Sequence, residues 1–359
     1  MSKRRIVVKV GSNVLTRNDG KLDITRMSAI VDQVAWLSQN GYEVILVSSG
    51  AMASGRDEIR VERKLDSVAQ RQLYSALGQA KLINLYYSLF REYDIHVGQV
   101  LTMKESFSTR REYLNQRACM NVMLDNGVLP IVNENDTISV TELMFTDNDE
   151  LSGLIASMMG AETLVILSNI DGIYNGHPAD PNSKVIRQVL PGSDLSDYIQ
   201  SEKSGFGRGG MLTKYNIARK VAEEGIRVII ANGQRDDILI NLVRQPDKTL
   251  HTAFIPEKEG VSGIKKWIAH SDSFAKGTIT VNADARAALC GQRAVSLLPV
   301  GVTAVEGDFD EGDLVSIIDE NGEKVAVGRA SYDSETARQL KGLHGQRPIV
   351  HYDYLYLEQ

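Results

Sequence analysis

Residues 5–10 read RIVVKV and run directly into Gly11, Ser12 and Asn13. Four of those six residues are β-branched and apolar, and they do not alternate with polar ones as they would on a sheet with one wet face. Such a run suits a strand buried on both faces, as in a parallel sheet covered by helices. The same texture returns in EVILVS (43–48), IHVGQVL (95–101), VLPIVN (128–133), TLVILS (163–168) and RVIIAN (227–232). Helical periodicity fills the intervals. Ile24, Met27, Ile30, Val31, Val34 and Leu37 recur on one face after a capping residue at Asp23, and Gly41 closes that helix. Further helices are predicted from about Ser67 to Tyr93 and from about Ser108 to Asp125. Strand and helix in alternation from residue 5 to about 245 predict an α/β domain, an open and mostly parallel sheet with helices on both faces. In such sheets ligands bind beyond the carboxyl ends of the strands, where loops and helix N-termini converge.

Outside this region the texture changes. Residues 246–262 are polar and carry Pro246 and Pro256, which reads as a domain junction. Beyond about 263 come short alternating strands at TITV (278–281), LVSII (314–318) and KVAVG (324–328), with a hairpin turn at Asn321-Gly322 and one helix near Ala283 to Cys290. The C-terminal HYDYLYL (351–357) fits a closing strand, with Tyr352, Tyr354 and Tyr356 on one face and His351, Asp353, Leu355 and Leu357 on the other. Two domains are expected, at 1–258 and 272–357, in keeping with a 359-residue chain.

Composition excludes several classes. Hydrophobic residues make up 43% and charged residues 24%, which places the chain among ordinary globular proteins rather than disordered or fibrous ones. Lys9 and Gly11 break the N-terminal apolar run too early for a signal peptide, and no stretch approaches the roughly 18 apolar residues of a membrane span. Two cysteines are too few for a disulfide framework, and the six histidines show no zinc-binding spacing, so a cytoplasmic protein with no metal ligated by a dedicated side-chain cluster is expected. Residues 271–359 hold 14 acidic and 8 basic side chains, which accounts for the whole net charge of −6. Nucleic-acid binding needs clustered Lys and Arg, so that tail argues against it.

The chemistry-bearing residues gather at predicted strand ends. Gly205, Gly207 and Gly210 satisfy GxGxxG, but no strand precedes them, and Met211 stands where a Walker A lysine belongs. GFGRGGMLTK (205–214) therefore reads either as a surface loop or as a glycine loop entering a helix near Met211, whose first-turn N–H groups and Lys214 would hold a phosphate. The first strand delivers Lys9 and Gly11 to the ligand edge. The second delivers Ser48, Ser49 and Gly50, which suit an anion cradle and equally a simple N-cap at Ser49. NENDT (133–137) and TDNDE (146–150) bring Asn133, Asn135, Asp136, Asn148 and Asp149 close to strand and helix ends. Each is at home in a turn, and together they suit an ammonium group, a metal-bound phosphate or the orientation of lysines. SNIDG (168–172) sits where a nucleotide could be bounded.

Taken in order, VVKVGS (7–12), VSSGA (47–51), IVNENDT (131–137), DNDELSG (147–153) and GRGGMLTK (207–214) resemble the amino acid kinase family, most closely its glutamate-phosphorylating members. KGTITVNADARAAL (276–289), SLLPVGV (296–302) and EGDLVSI (311–317) resemble the PUA domain appended to many of them. The resemblance implies the amino acid kinase fold followed by a small, mostly β, PUA-like domain. It also implies transfer of the γ-phosphoryl group of ATP to the side-chain carboxylate of L-glutamate with Mg²⁺, as the first step of proline synthesis. By the same resemblance Lys9 and Lys214 flank the transferred group and Asp149 orients them. Ser49, Asp136 and Asn148 hold glutamate. Lys9, Ser168, Asn169, Arg208, Gly209, Gly210, Met211, Leu212, Thr213 and Lys214 hold ATP. Feedback inhibition by proline and a dimeric or tetrameric state are implied too. Two departures stand out: Ser168-Asn169 where the family usually has Thr-Asp, and Gly207-Arg208-Gly209-Gly210 where it usually has GTGG.

Overall fold

The structure is a computed structural model that describes residues 4–62, 64–107, 110–138, 145, 147–178, 180–195, 198, 210–256, 275–291 and 295–357. The chain divides into two compact units. In order along the chain, the first part carries β1 (Arg4–Val10), α1 (Ser12–Leu15), α2 (Ile24–Gln39), β2 (Tyr42–Ser48), α3 (Ala51–Arg56), α4 (Ser67–Arg91), β3 (His96–Thr102), α5 (Arg110–Asp125) and β4 (Val128–Glu134). It continues through α6 (Asn148–Met159), β5 (Thr163–Ser168), β6 (Gln188–Val189), α7 (Met211–Glu223), β7 (Arg227–Asn232), α8 (Ile238–Arg244) and β8 (Thr252–Phe254).

The first sheet has eight strands in the order β3-β4-β2-β1-β5-β7-β8-β6. The six strands from β3 to β7 are parallel, and only β8 and β6 run against them. β1 is the centre of the design. The chain leaves it for β2 on one side, builds out to β3, and returns to β5 on the other, so the strand order reverses at β1 and opens a crevice above its carboxyl end. The last five residues of β1 and of β2 are buried, Lys9 and Ser48 among them with the apolar ones.

Helix α2 shows how the sequence holds its layer. Asp23 accepts from the Arg26 N–H at 3.1 Å as the N-cap, and Gly41 ends the helix at φ +86°. Met27, Ile30, Val31, Val34 and Leu37 are all buried against the sheet. At about 1.5–3 kcal/mol each, their burial outweighs the few tenths that β-branched residues cost a helix.

Helix α3 crosses α4 without room for side chains. A Cβ on Gly55 would collide with the Tyr74 carbonyl oxygen, and one on Gly78 with that of Ala51. This contact sets the loop after β2 beside the first turns of α4.

Several expectations need correction. β3 is not a continuously buried run: it pairs only with β4, lies at the edge, and leaves His96, Gln99 and Leu101 exposed. The polar stretch read as a junction from 246 contains β8, whose three residues are buried. Its apolar core is too short to register in a pattern search. It is held by the Arg187 guanidinium, which donates to the carbonyls of Thr249, Pro246 and Asp247, and by Thr252 Oγ1, which donates to the Ile186 carbonyl at 2.7 Å.

The second unit holds a five-stranded sheet of β9 (Gly277–Val281), β10 (Val302–Gly307), β11 (Leu314–Asp319), β12 (Lys324–Ala330) and β13 (Val350–Leu357), ordered β10-β9-β11-β12-β13. Only the β9–β11 pair is parallel. The Asn321-Gly322 hairpin forms, with Gly322 at φ +81°. Besides the expected helix at Ala283–Leu289 there is a second, Ser334–Leu340, whose N-cap Asp333 accepts from the Thr336 N–H at 2.7 Å. On β13 the face carrying Leu355 is the buried one near the C-terminus. The β12–β13 register shifts between Gly328 and Ala330, which lets the even-numbered Val350 point inward as well.

Candidate active site

The carboxyl ends of β1, β2, β4 and β5, with the first turns of α3, α4, α6 and α7, line one cavity of about 620 Å³. It opens above the strand-order reversal at β1. At its floor, Lys9 projects from β1 and Asp149 from the first turn of α6. The Lys9 Nζ lies 2.5 Å from Asp149 Oδ1, and Lys214, in the first turn of α7, places its Nζ 2.9 Å from Asp149 Oδ2. Asp149 is 0% exposed and Lys9 5%. Burial pushes the Asp149 carboxyl up, but the two ammonium groups more than offset this and hold it below the ordinary carboxylate range.

Burying three charges costs several kcal/mol for each ion, and a well-packed apolar trio would often be as stable. The cluster is therefore weak evidence for stability. What it provides is two cations in fixed positions, with a net charge of +1, facing a cavity.

On the β2–β4 side, Asn148 Nδ2 donates to Ser49 Oγ at 2.9 Å and to Asn133 Oδ1 at 3.0 Å, which ties α6 to the ends of both strands. Ser49 is not the N-cap of α3. Gly50 occupies that position at φ +107° and offers no side chain, so the Ser49 hydroxyl turns toward Asn148 instead. Asp136, just past β4, sits 3.8 Å from the Nε of Arg71, which enters from α4.

On the β5 side, Ser168 lines the cavity with Leu167 and Lys214. Asn169 is exposed, and Gly210, Met211, Leu212 and Thr213 form the start of α7 without lining that cavity, Leu212 being 44% exposed. Gly210 is the N-cap of α7 and brings no side chain to it. Arg208 and Gly209, with Gly205 and Gly207, lie outside the described residues.

Arg71 and Asp147 are among the cavity residues that the sequence reading did not single out. Arg71 belongs to the buried stripe of α4 with Ser75, Gly78, Gln79, Leu82, Tyr86 and Phe90. An arginine at core spacing in that stripe was the available signal. Asp147 caps α6, its Oδ1 accepting from the N–H groups of Asp149 at 2.8 Å and Glu150 at 3.1 Å. An Asp immediately ahead of an apolar helix announces this role. Its other oxygen, Oδ2, is buried with no hydrogen-bond partner.

Burial and the neighbouring Asp149 charge push the Asp147 carboxyl up to about 6. A folded-state value above the unfolded one means that the folded protein binds the extra proton, so stability falls as pH rises from about 4 to about 6 and stays reduced above that. Asp147→Asn keeps a capping oxygen and removes this penalty. The variant is expected to be more stable than wild type by about 1–3 kcal/mol at pH 7.5, with the difference vanishing near pH 4. Denaturant midpoints of the ligand-free protein at both pH values measure it, and a variant less stable at pH 7.5 contradicts the burial account.

Comparison with known proteins bears on the family and the fold. Residues 4–232 match the model of the amino acid kinase family and residues 277–352 that of the PUA domain. A glutamate 5-kinase of Bacteroides thetaiotaomicron is 67% identical over 354 residues, covering 99% of this chain and 98% of its own. One of Chlorobaculum tepidum is 46% identical, covering 99% and 97%. Among solved structures, the carbamate kinase of Giardia lamblia bound to AMP-PNP shares the fold, with a TM-score of 0.51 at 16% identity over 71% of this chain and 99% of its own.

Proposed function

This chain belongs to the amino acid kinase family, and we propose that Lys9, Asp149 and Lys214 form the place where its glutamate 5-kinase reaction occurs. The γ-phosphoryl group of ATP passes to the side-chain carboxylate of L-glutamate and gives L-glutamyl 5-phosphate, the first step of proline biosynthesis. The observation that carries the site is the pair of ammonium groups set on the two oxygens of one buried carboxylate.

Phosphoryl transfer asks little covalent work of a protein and much electrostatic positioning. A carboxylate acceptor is already ionised near neutral pH, so no general base is needed. Its repulsion from the phosphate oxygens is what the site must cancel, and Lys9 and Lys214 do so from the two oxygens of Asp149. Asp149 keeps both side chains extended into the cavity before substrate arrives, so little reorganisation remains during the reaction.

In this reading the β2–β4 side takes glutamate. Asp136 draws the α-ammonium group, while Ser49 and Asn148, already bonded to each other, fix the acceptor. The β5 side takes ATP at Ser168 and Lys214, and Gly210, Met211, Leu212 and Thr213, which do not line the cavity, join them through the family likeness. Asn169, Arg208 and Gly209 join that group through the family likeness alone.

Mg²⁺ is usually held by phosphates together with one or two carboxylates. The buried, unpartnered Asp147 Oδ2 fits such a role. Bound there, the ion would neutralise phosphate charge beside the lysine pair. The matched segments fall inside domains proposed at 1–258 and 272–357. Among the described residues no helix is long and apolar enough to cross a membrane. We place the enzyme in the cytoplasm as a homo-oligomer, a dimer or tetramer, which sedimentation would test.

Hydroxylamine trapping tests the reaction directly. With ATP and Mg²⁺, L-glutamate is expected to give the hydroxamate, whereas N-acetylglutamate and L-aspartate are not. A signal from either of the other acids alone would overturn the acceptor roles of Ser49, Asp136 and Asn148 and leave the lysine pair in place. Adding L-proline is expected to lower the rate, and an undiminished rate at saturation removes proline as an inhibitor.

A further inference from the structure

The turn that follows β5 carries a buried carboxylate for which the reaction scheme has no use. Asp171 is only 9% exposed, yet it does not line the cavity, whereas Ser168, three residues earlier, does. Both of its oxygens are engaged. Oδ1 accepts from Asn232 Nδ2 at 3.1 Å and from Arg235 Nε, and Oδ2 accepts from an Arg235 Nη at 2.6 Å and from the Tyr174 hydroxyl at 3.3 Å. Two parallel bonds from one guanidinium are the strongest and most directional form of this contact. They hold the Asp171 carboxyl below the ordinary carboxylate range, so the pair stays charged through neutral pH.

The sheet does not need this pair. β5 and β7 are already in register from Thr163 opposite Arg227 to Ser168 opposite Asn232, and the Gly233 N–H closes the ladder on the Ser168 carbonyl at 2.8 Å. Nor does it add much stability, since the Arg235 side chain is 48% exposed. What it fixes is the turn, which Asp171 folds back onto the residues that end β7. Just downstream the Ile173 N–H donates to Thr252 Oγ1 at 2.8 Å, and a Cβ on Gly172 would stand 2.9 Å from the Thr252 nitrogen. Anchored there, the turn leaves Ser168, whose Oγ donates to Asn169 Oδ1 at 3.4 Å, and the exposed Asn169 at the cavity end of β5. Resting on the β5 side as the place of ATP, we propose that Asp171 and Arg235 are positioning residues that hold this turn in its nucleotide-binding shape before ATP arrives. Binding then spends little on ordering the turn, which is how preorganisation raises affinity.

Asp171→Asn is nearly isosteric and turns a bidentate acceptor into a group with one acceptor and one donor. If ATP must then order two side chains of the turn for itself, its Kd and KM rise about tenfold. The kcat and the KM for L-glutamate should stay within about threefold, because Lys9, Asp149, Lys214 and the β2–β4 side are untouched. A merely structural pair would lower the thermal midpoint and leave the ratio of the two KM values unchanged. Arg235→Gln is expected to act on ATP alone in the same way. The double variant should bind ATP no more weakly than the worse single one, since either change already breaks the pair, where independent residues would multiply to about 100-fold. Asp171→Glu keeps the carboxylate and should recover part of the affinity.

Titration calorimetry with ATP and Mg²⁺ in the absence of acceptor measures the affinities, and hydroxamate formation the two KM values. Arg235→Gln, with its half-exposed side chain, carries the test if Asp171→Asn fails to fold. An ATP affinity within about threefold of wild type in either folded single variant overturns the proposal, as do equal rises in both KM values or a multiplicative loss in the double variant. Absence of hydroxamate from L-glutamate in wild type would instead overturn the underlying reaction, so the two failures are distinguishable.

Discussion

Replacing Lys214 with alanine is expected to lower kcat by about a thousandfold or more while leaving a folded protein that still binds L-glutamate. Removing a single preorganised donor to transition-state charge costs about 10²–10³ in rate, and a full cation at a transferring phosphoryl group is worth about 10³–10⁵. Lys214 is such a cation: its Nζ is fixed 2.9 Å from Asp149 Oδ2, and its side chain is largely buried. The KM for L-glutamate should move by less than about threefold, because Ser49, Asn148 and Asp136, which are assigned to the acceptor, stand on the β2–β4 side of the cavity. Stability should suffer little. Without Lys214 the buried cluster passes from a net charge of +1 to zero, with Asp149 still paired to Lys9 at 2.5 Å. Steady-state rates on the purified variant, alongside its thermal midpoint, provide the check. A kcat within tenfold of wild type would remove Lys214 from the reaction.

Much of this arrangement is legible in the sequence, and the places where it is not share a physical cause. The strand runs 5–10, 43–48 and 163–168 read correctly because burial on both faces leaves adjacent apolar residues, many of them β-branched, without polar alternation. The lysine pair is legible too, since Lys9 ends a strand and Lys214 follows a glycine run into a helix. Ser49 could not be resolved as cap or ligand-facing hydroxyl from sequence, because both uses select the same residue types. Its partner Asn148 is 99 positions away, and only the folded chain brings the two together. β8 was hidden for another reason. Three buried residues carry no period, and its place in the sheet depends on the guanidinium of Arg187, 59 to 62 positions from the carbonyls it holds. Arg71 falls between these cases, since its position in a core stripe is visible but its neighbour Asp136 is not.

Asp149→Asn is the harsher substitution, and the reason is charge balance rather than shape. The amide is nearly isosteric, but it leaves two buried ammonium groups facing each other with no anion between them. Removing one partner of a buried ionic group costs about 3–5 kcal/mol of stability, and the freed lysines lose the positions that catalysis needs, so a loss of about a thousandfold in kcat is expected as well. The pH dependence identifies the cause. In wild type the Asp149 carboxyl is held below its ordinary range, so its contribution is fully present above the unfolded value of 3.8 and is lost as pH falls through the folded value. The stability gap between wild type and Asp149→Asn is therefore widest near neutrality and closes toward strong acid. A double variant sharpens the test. Adding Lys214→Ala to Asp149→Asn lowers the buried charge from +2 to +1, so the double variant should be more stable than Asp149→Asn alone, although Lys214→Ala by itself changes stability little. Denaturant unfolding of the four proteins at pH 7 measures this coupling. Strict additivity would mean that the three side chains do not act as one electrostatic unit.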